Sequence, residues 1–269
     1  MDNTLIYIHV FKNGGTSIMD LLYQINKKIN TKAIFLKSKG PLNIMECLMK
    51  YDKYRGEKVS TFYSMKQLKK IDIIGGHMNF KLPNDLILNK PKLYICSFRC
   101  PYTRYISGHL YTNESLKLTE EQSIKAIKEK IIAHFKHKRY FNIYNKYLNH
   151  NFSVSNKNTF KETVAVEANE QLKQTISMFE IVIILEEWTQ SLKNLEKVLN
   201  DNTPDTIEIK DIDKIKSTSV NKGRLSTNNI VDILKKDKPF WEKYTHVLKY
   251  EKEIYDFAYD KFKKHNDNN

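Results

Sequence analysis

The sequence predicts an α/β fold, a single domain over residues 1–269 in which a P-loop-like parallel sheet is flanked by helices. Three observations lead to this prediction. Short runs rich in Ile, Val and aromatic residues alternate with segments whose apolar residues recur at helical spacing, which is typical of parallel strands joined by helices. A glycine-rich turn separates the first strand from the first helix. The 269-residue length and 41% hydrophobic content are sufficient for one large core.

The first predicted strand and helix enclose the most informative segment of the chain. Residues 5–11 are rich in Ile, Val and aromatics and predict a buried strand. The residues that follow are Lys12, Gly14, Gly15, Thr16 and Ser17. Apolar residues from Ile18 to Ile29 then recur at helical spacing. Glycines let a backbone approach an anion, and the N–H groups at a helix start point at it, so we expect an anion cradle.

This segment differs from the Walker motif of nucleotide triphosphatases. In that motif the lysine follows the last glycine and precedes a Ser or Thr that holds magnesium. Here Lys12 precedes the glycines, which places it at the entrance of the loop. An ordinary strand-to-helix turn remains the alternative at this point.

The remaining elements continue the alternation. Further strands are predicted at residues 32–36, 59–63, 71–75, 92–98 and 179–185. Helices are predicted at residues 42–51, 64–69, 119–137, 160–178 and 188–200, and loops at 150–158 and 217–223. Pro101 suits the first turn of a further helix, because its missing N–H is not needed there. Two helices close the chain, the second beginning near Pro239.

The carboxyl edge of the predicted sheet collects the polar features. Ligands of parallel α/β sheets bind outside the carboxyl ends of the strands. The cradle, His77 and Arg99 each follow a predicted strand. On the helix after Arg99, Arg104 and Ser107 are three residues apart and share a face. Arg99 with Ser107 therefore predicts a second anion site at the same edge, although Arg99 could instead cap local carbonyls.

The charge of the chain narrows the class of ligand. Lys and Arg number 45 against 31 acidic residues, a net charge of +14, which favours a polyanion or a phosphorylated ligand. A compositional bias towards lysine on a solvated surface is the alternative. A basic stripe and the loop at 150–158 could line a groove for an acidic glycan. The lysines of that stripe are Lys125, Lys128, Lys136 and Lys138.

The cysteines and the hydropathy describe the environment. Cys47, Cys96 and Cys100 have no metal-like spacing, and we expect free thiols. No apolar run approaches the roughly 18–20 residues of a membrane span. As given, the chain is expected to be soluble and cytoplasmic; a Golgi-lumen location applies if a membrane anchor precedes it. No nucleic acid partner is expected, and the sequence does not indicate an oligomeric state.

Taken together, three motifs resemble the carbohydrate sulfotransferases, above all the heparan sulfate 2-O- and 6-O-sulfotransferases. They are Phe-Lys-Asn-Gly-Gly-Thr-Ser at 11–17, Gly-Gly-His at 75–77 and Arg-x-Pro-x-x-Arg-Tyr-x-Ser at 99–107. The resemblance covers most of the chain and is weakest between residues 114 and 160. One departure is Cys100, where the family usually has an acidic residue.

The resemblance implies a donor and a set of roles. The family transfers the sulfuryl group of 3'-phosphoadenosine 5'-phosphosulfate (PAPS) to a sugar hydroxyl and releases 3'-phosphoadenosine 5'-phosphate (PAP), with no metal. His77 would be the general base, and Lys12 would contact the bridging oxygen. The 5'-phosphate would be held by the loop residues Lys12, Asn13, Gly14, Gly15, Thr16 and Ser17. The 3'-phosphate and the rest of the nucleotide would be held by Arg99, Ser107, Lys222 and Arg224.

The expected function is therefore sulfation of a hydroxyl acceptor, most simply a carbohydrate. One alternative is a non-catalytic protein that binds polyanions or glycans through its lysine-rich faces. Another is a small-molecule P-loop kinase, which would need a Lys-Ser/Thr pair after the glycines and an acidic strand end for magnesium. Neither feature is present at residues 12–17 or at Arg99.

Overall fold

A five-stranded parallel sheet forms the centre of the protein in the computed structural model. The structure describes residues 1–36, 71–78, 80, 88–114, 118–149, 159–204, 206–209 and 226–267. The strands are β1 (Thr4–Ile8), β2 (Ala33–Leu36), β3 (Ile73–Gly76), β4 (Lys92–Phe98), β5 (Tyr140–Phe141), β6 (Thr159–Phe160) and β7 (Ile181–Ile184). The order in the sheet is β2-β3-β1-β4-β7, and β5 and β6 form a separate antiparallel pair.

Helices connect the strands and close the chain. They are α1 (Gly15–Ile29), α2 (Pro101–Glu114), α3 (Glu120–Lys136), α4 (Tyr144–Leu148), α5 (Glu162–Ser177), α6 (Trp188–Asp201), α7 (Thr227–Lys236), α8 (Lys238–Val247) and α9 (Lys249–Asp267). Local sequence explains several starts. Thr119 and Gln122 form a reciprocal capping box at α3, and Pro101 occupies the first turn of α2.

Two hydrophobic cores lie on the two faces of the sheet. Along β1 the side chains alternate, so that Leu5 and Tyr7 belong to one core and Ile6 and Ile8 to the other. The first core contains apolar residues of α1 and α6, and the second contains those of the other long helices. This α/β architecture, a parallel sheet flanked by helices, is the predicted fold class, which is confirmed.

The topology creates a switch point between β1 and β4. The two strands are hydrogen-bonded neighbours, with Ile8 opposite Cys96. The chain leaves β1 towards β2 on one side of the sheet, whereas the strand that follows β4 in the sheet is β7 on the other side. Crevices at such points are where open α/β sheets bind ligands.

Some predicted boundaries are wrong. The first strand ends at Ile8 rather than at residue 11, because the chain turns there and the Asn13 amide bonds to the Val10 carbonyl. The predicted final helix is two helices, α8 and α9, because Leu248 (φ −98°, ψ 5°) leaves the helical range. The prediction did not include α4, β5 or β6. Residue 160 belongs to β6 rather than to the helix predicted from that position.

Several predictions fall outside the described residues. They concern the helices at 42–51 and 64–69, the strand at 59–63, the loops at 150–158 and 217–223, Cys47, Lys222 and Arg224. Within the described ranges, Cys96 and Cys100 are free thiols as predicted. None of the helices in those ranges combines the length and apolar character needed to cross a membrane.

Candidate functional site

The predicted polar motifs lie together at the carboxyl edge of the sheet. They follow β3, β1 and β4, which are three adjacent strands. In the register Ile8 stands opposite Gly76 on one side and opposite Cys96 on the other. The loop after β1, His77 after β3 and Arg99 after β4 therefore share one rim. We call Lys12, Gly14, Gly15, His77 and Arg99 the rim site.

Two glycines shape the cradle at the start of α1. Gly14 is the N-cap residue in the left-handed conformation (φ 73°), and no side chain of the described residues caps the helix. A Cβ on Gly14 would lie 2.5 Å from Leu185 Cδ1, and one on Gly15 would lie 1.8 Å from His9 Cδ2. Both positions thus require glycine. The first amides of an uncapped helix are a ready site for an anion.

The two hydroxyl residues of the cradle differ in exposure. Thr16 is exposed, whereas Ser17 is buried and its amide bonds to the Gly14 carbonyl at 3.1 Å. Thr16 is consequently the hydroxyl of the pair that an external ligand can reach directly.

Asn13 fastens the cradle loop to β4. Its side chain is fully buried, and Nδ2 donates to the Ser97 carbonyl at 2.8 Å and to the Tyr144 hydroxyl at 3.3 Å. Oδ1 of Asn13 is buried and has no partner among the described residues. The side chain thus joins the loop to the strand that carries Arg99.

Lys12 stands at the loop entrance beside α2. Its backbone φ of 64° is positive, which is uncommon for residues other than glycine. The ammonium lies 4.5 Å from the centre of the Tyr111 ring, a cation–π contact. A Cβ on Gly108 would lie 3.8 Å from Lys12 Cγ, so α2 approaches the loop closely at that glycine.

His77 is held in one tautomer by the backbone. Its Nδ1 lies 2.8 Å from the His9 carbonyl, which can only accept, so Nδ1 carries the proton and Nε2 is the basic nitrogen. Burial lowers the pKa of His77; the bond to His9 opposes this, and the charge of Lys146 lowers the pKa further. A neutral imidazole with a defined acceptor nitrogen can take a proton from a hydroxyl.

Arg99 follows β4, and one hydrogen-bond donor of its guanidinium has a partner. Nε donates to Thr103 Oγ1 at 3.2 Å. Burial lowers the pKa of Arg99, and the nearby charge of Glu186 acts in the opposite direction. No carboxylate of the described ranges forms an ion pair with it. Glu186 itself accepts from the Cys100 amide at 2.9 Å. Cys100 is the position where the sulfotransferases that the sequence resembles usually have an acidic residue.

Arg104 and Ser107 lie on α2 but in different surroundings. Arg104 is buried and forms an ion pair with the buried Glu251 of α9 at 2.5 Å. Ser107 is half-buried and precedes Gly108, which lies against the cradle loop. The structure therefore places Gly108, the neighbour of Ser107, against the loop, and it pairs Arg104 inside the protein.

The site also contains residues that the sequence motifs do not identify. Tyr144 on α4 bonds through its hydroxyl to Asn13 and to the backbone N and O of Arg99. Tyr147 bonds to the backbone of Phe11, and its ring lies 6.2 Å from that of His77. Tyr144 and Tyr147 of α4 thus contact the cradle loop, the backbone of Arg99 and His77. Their segment shows no periodicity, so no sequence signal identified it.

Comparison with known proteins adds no assignment. The chain matches no protein-family model, and none of the curated proteins with which it was compared matches it.

Proposed function

We propose that this chain is a sulfotransferase that uses PAPS as donor and a hydroxyl, most simply that of a carbohydrate, as acceptor. The main support is that one loop connects all parts of the rim site. Asn13 of that loop donates to the carbonyl of Ser97, two residues before Arg99, at 2.8 Å, and His9 accepts from His77 at 2.8 Å. The cradle, the base and the strand that leads to Arg99 are therefore all bonded to this one loop.

The donor set of the rim site fits a nucleotide with phosphates at both ends. The start of α1 offers amides, because no side chain of the described residues caps it at Gly14. Arg99 offers the rest of its guanidinium fork, which suits a phosphate dianion. The predicted roles of Lys222 and Arg224 concern residues outside the described ranges.

In the proposed reaction the acceptor oxygen attacks the sulfur in line with the bond to the 5'-phosphate. The new oxygen–sulfur bond forms as the bond from sulfur to the bridging oxygen breaks. The hydroxyl proton passes to Nε2 of His77, and the bridging oxygen keeps the electron pair and leaves with PAP. Lys12 and the amides of Gly14 and Gly15 stabilise the charge that develops on that oxygen. His77 is suited to act as the general base because burial lowers its pKa and so favours the neutral imidazole.

Titration with PAP tests the nucleotide site. We expect wild-type protein to bind it with micromolar or tighter affinity, and Arg99→Ala to weaken binding about 10- to 10²-fold, the usual worth of charged hydrogen bonds. Arg139→Ala is the matched control, since Arg139 is exposed on the segment after α3. Equal affinity of wild type and Arg99→Ala would remove Arg99 from the site.

A transfer assay with labelled PAPS and a panel of glycans, phenols and peptides tests the chemistry. His77→Ala should bind PAP normally and transfer about 10²- to 10⁴-fold more slowly. A near-normal rate in this variant would assign the base elsewhere. If wild-type protein binds PAP but sulfates nothing on a broad panel, the protein is a nucleotide-dependent binder and not an enzyme.

A further inference from the structure

His9 is bonded through its backbone to the end of β3 and to the base His77. It follows the last residue of β1 and is half-buried. Its amide donates to the Gly76 carbonyl at 2.8 Å, and its carbonyl accepts from His77 Nδ1 at 2.8 Å. Any displacement of His9 therefore changes both the position and the tautomer restraint of His77.

The ring of His9 contacts His77 and Gly15. It stacks on the His77 ring with centroids 3.8 Å apart and planes inclined by 21°. Its Cδ2 and Nε2 atoms occupy the space next to Gly15, since a Cβ there would lie 1.8 Å and 2.1 Å from them. Gly15, the first residue of α1, thus packs against the His9 ring, and the His9 ring packs against His77.

We infer that His9 is a positioning residue that couples occupancy of the nucleotide cradle to the orientation of His77. This inference rests on the proposed function. An anion on the Gly15 amide fixes the first turn of α1, and Gly15 in close contact fixes the His9 ring. Close-packed contacts of this kind transmit small shifts rather than absorb them. Binding of the donor thereby helps to orient His77, the base that takes the proton from the acceptor.

Burial and the charge of Lys146 favour the neutral form of His77, whereas its bond to the His9 carbonyl favours the protonated form. His9 covers one face of the ring and contributes to the burial that lowers its pKa. On α4, Lys146 lowers the pKa further through its charge, and Tyr147 presents its ring at 6.2 Å. Two imidazoles in stacking contact also disfavour a charge on both. Removing the His9 ring should admit water and raise the pKa of His77 towards its ordinary value of 6.5.

The test is an NMR titration of the His77 imidazole in the full-length protein, with its signal assigned through His77→Gln. In wild type, saturating PAP should shift this signal. In His9→Ala, PAP should still bind, but the shift at His77 should be lost and its pKa should rise. In the transfer assay kcat should fall about 10- to 10²-fold. The acid limb of kcat/KM should move to higher pH, because the neutral base is then lost at higher pH.

His9→Phe separates the ring from its charge. Phe keeps a flat surface between Gly15 and His77, so it should restore the response of His77 to PAP. His9→Asn, which also lacks the ring, replaces His9→Ala if the latter folds poorly. An unchanged His77 response and pKa in the ring-deficient variant, with PAP bound, would overturn the coupling alone. Failure of wild type to bind PAP would overturn the proposed function together with the coupling.

Discussion

The rim site and the buried pair of Arg104 and Glu251 use charge in opposite ways. Arg99 and Arg104 are both on the segment that opens α2, yet Arg99 forms no ion pair with a described carboxylate. Arg104 is 2% exposed and is neutralised by Glu251, which is 0% exposed. Glu251 also accepts from the Ile143 amide at 3.1 Å. A charge used for stability has its partner inside the protein, and a charge available to a ligand does not.

The comparison also concerns packing. At the rim site the absence of side chains at Gly14 and Gly15 leaves room for Leu185 and for the His9 ring, which pack directly against the backbone. At the buried pair the space is filled, with the Arg104 guanidinium 5.3 Å from the Phe141 ring. We therefore expect the rim site to be sensitive to added volume, and the buried pair to be sensitive to the loss of a charge.

The largest expected effect follows from removing one member of the buried pair. Glu251→Ala should lower the free energy of unfolding by about 3–5 kcal/mol, because it leaves the Arg104 charge buried and unpaired. Urea denaturation measures this. Asp256→Ala on the same helix is the control, since Asp256 pairs with Lys252 at the surface and should cost well under about 1 kcal/mol.

The double variant Arg104→Met with Glu251→Leu sharpens this comparison. Because it removes both charges, it should recover most of the stability lost in Glu251→Ala. If Glu251→Ala lowered the free energy of unfolding no more than Asp256→Ala does, the buried pair would not be a charge pair used for stability.

The next effect is on transfer rather than on folding. Lys12→Ala should lower kcat about 10²- to 10³-fold, since its charge matters most as the bond to the bridging oxygen breaks. PAP affinity should change less, and the lost contact with Tyr111 should cost at most about 1 kcal/mol of stability. Lys193→Ala, which removes an exposed lysine of α6, is the control for general charge effects. An equal loss of PAP affinity and kcat would instead make Lys12 a simple binding residue.

The sequence could predict the parts of the site that are local. The strand, the glycines and the helix start at residues 4–29 are adjacent in the chain, so their periodicity and composition identified them. The rim also followed, because carboxyl ends of parallel strands meet at one edge. This accounts for the correct placement of His77 and Arg99 beside the cradle loop.

The remaining parts depend on contacts between distant residues. Asn13 bonds to Ser97, 84 positions away, and Arg104 to Glu251, 147 positions away. Nothing in the helical spacing of α2 distinguishes an arginine with a buried carboxylate partner from one that faces the rim. His9 was overlooked for a related reason: it lies just before the glycine motif, but its ring contacts with His77 and Gly15 arise only when β3 and α1 fold around it.

Added volume at the rim gives the third effect. In Gly15→Ala the new methyl group would overlap the His9 ring, and overpacking of this kind costs about 1–3 kcal/mol of unfolding free energy. Combining it with His9→Ala should remove most of this cost. Gly108→Ala is the control with the opposite sign: the nearest atom to its Cβ is 3.5 Å away, and Ala favours a helix interior by roughly 0.5–1 kcal/mol. A Gly15→Ala cost that persists without the His9 ring would place the overlap elsewhere.

The smallest expected effect concerns His109, a partly buried group on α2 that has no counter-ion of the kind Arg104 has. Its Nε2 is buried without a partner in the described part of the chain. Burial, and then the charge of Lys130, lower its pKa from 6.5 to about 4. As the pH falls through this window the unfolded chain takes up the proton first, so the free energy of unfolding should decrease.

In His109→Gln this acid-induced decrease should be smaller by about 1 kcal/mol, a modest value because the ring is only partly buried and solvent screens its charge. Urea denaturation at the two ends of the window, pH 6.5 and pH 4, measures the difference. His137→Gln, which alters an exposed ring after α3, is the control and should behave like wild type. Equal acid sensitivity of His109→Gln and wild type would mean that α2 tolerates an unpaired charge at His109. In that case His109 would not differ from Arg104 in its need for a partner.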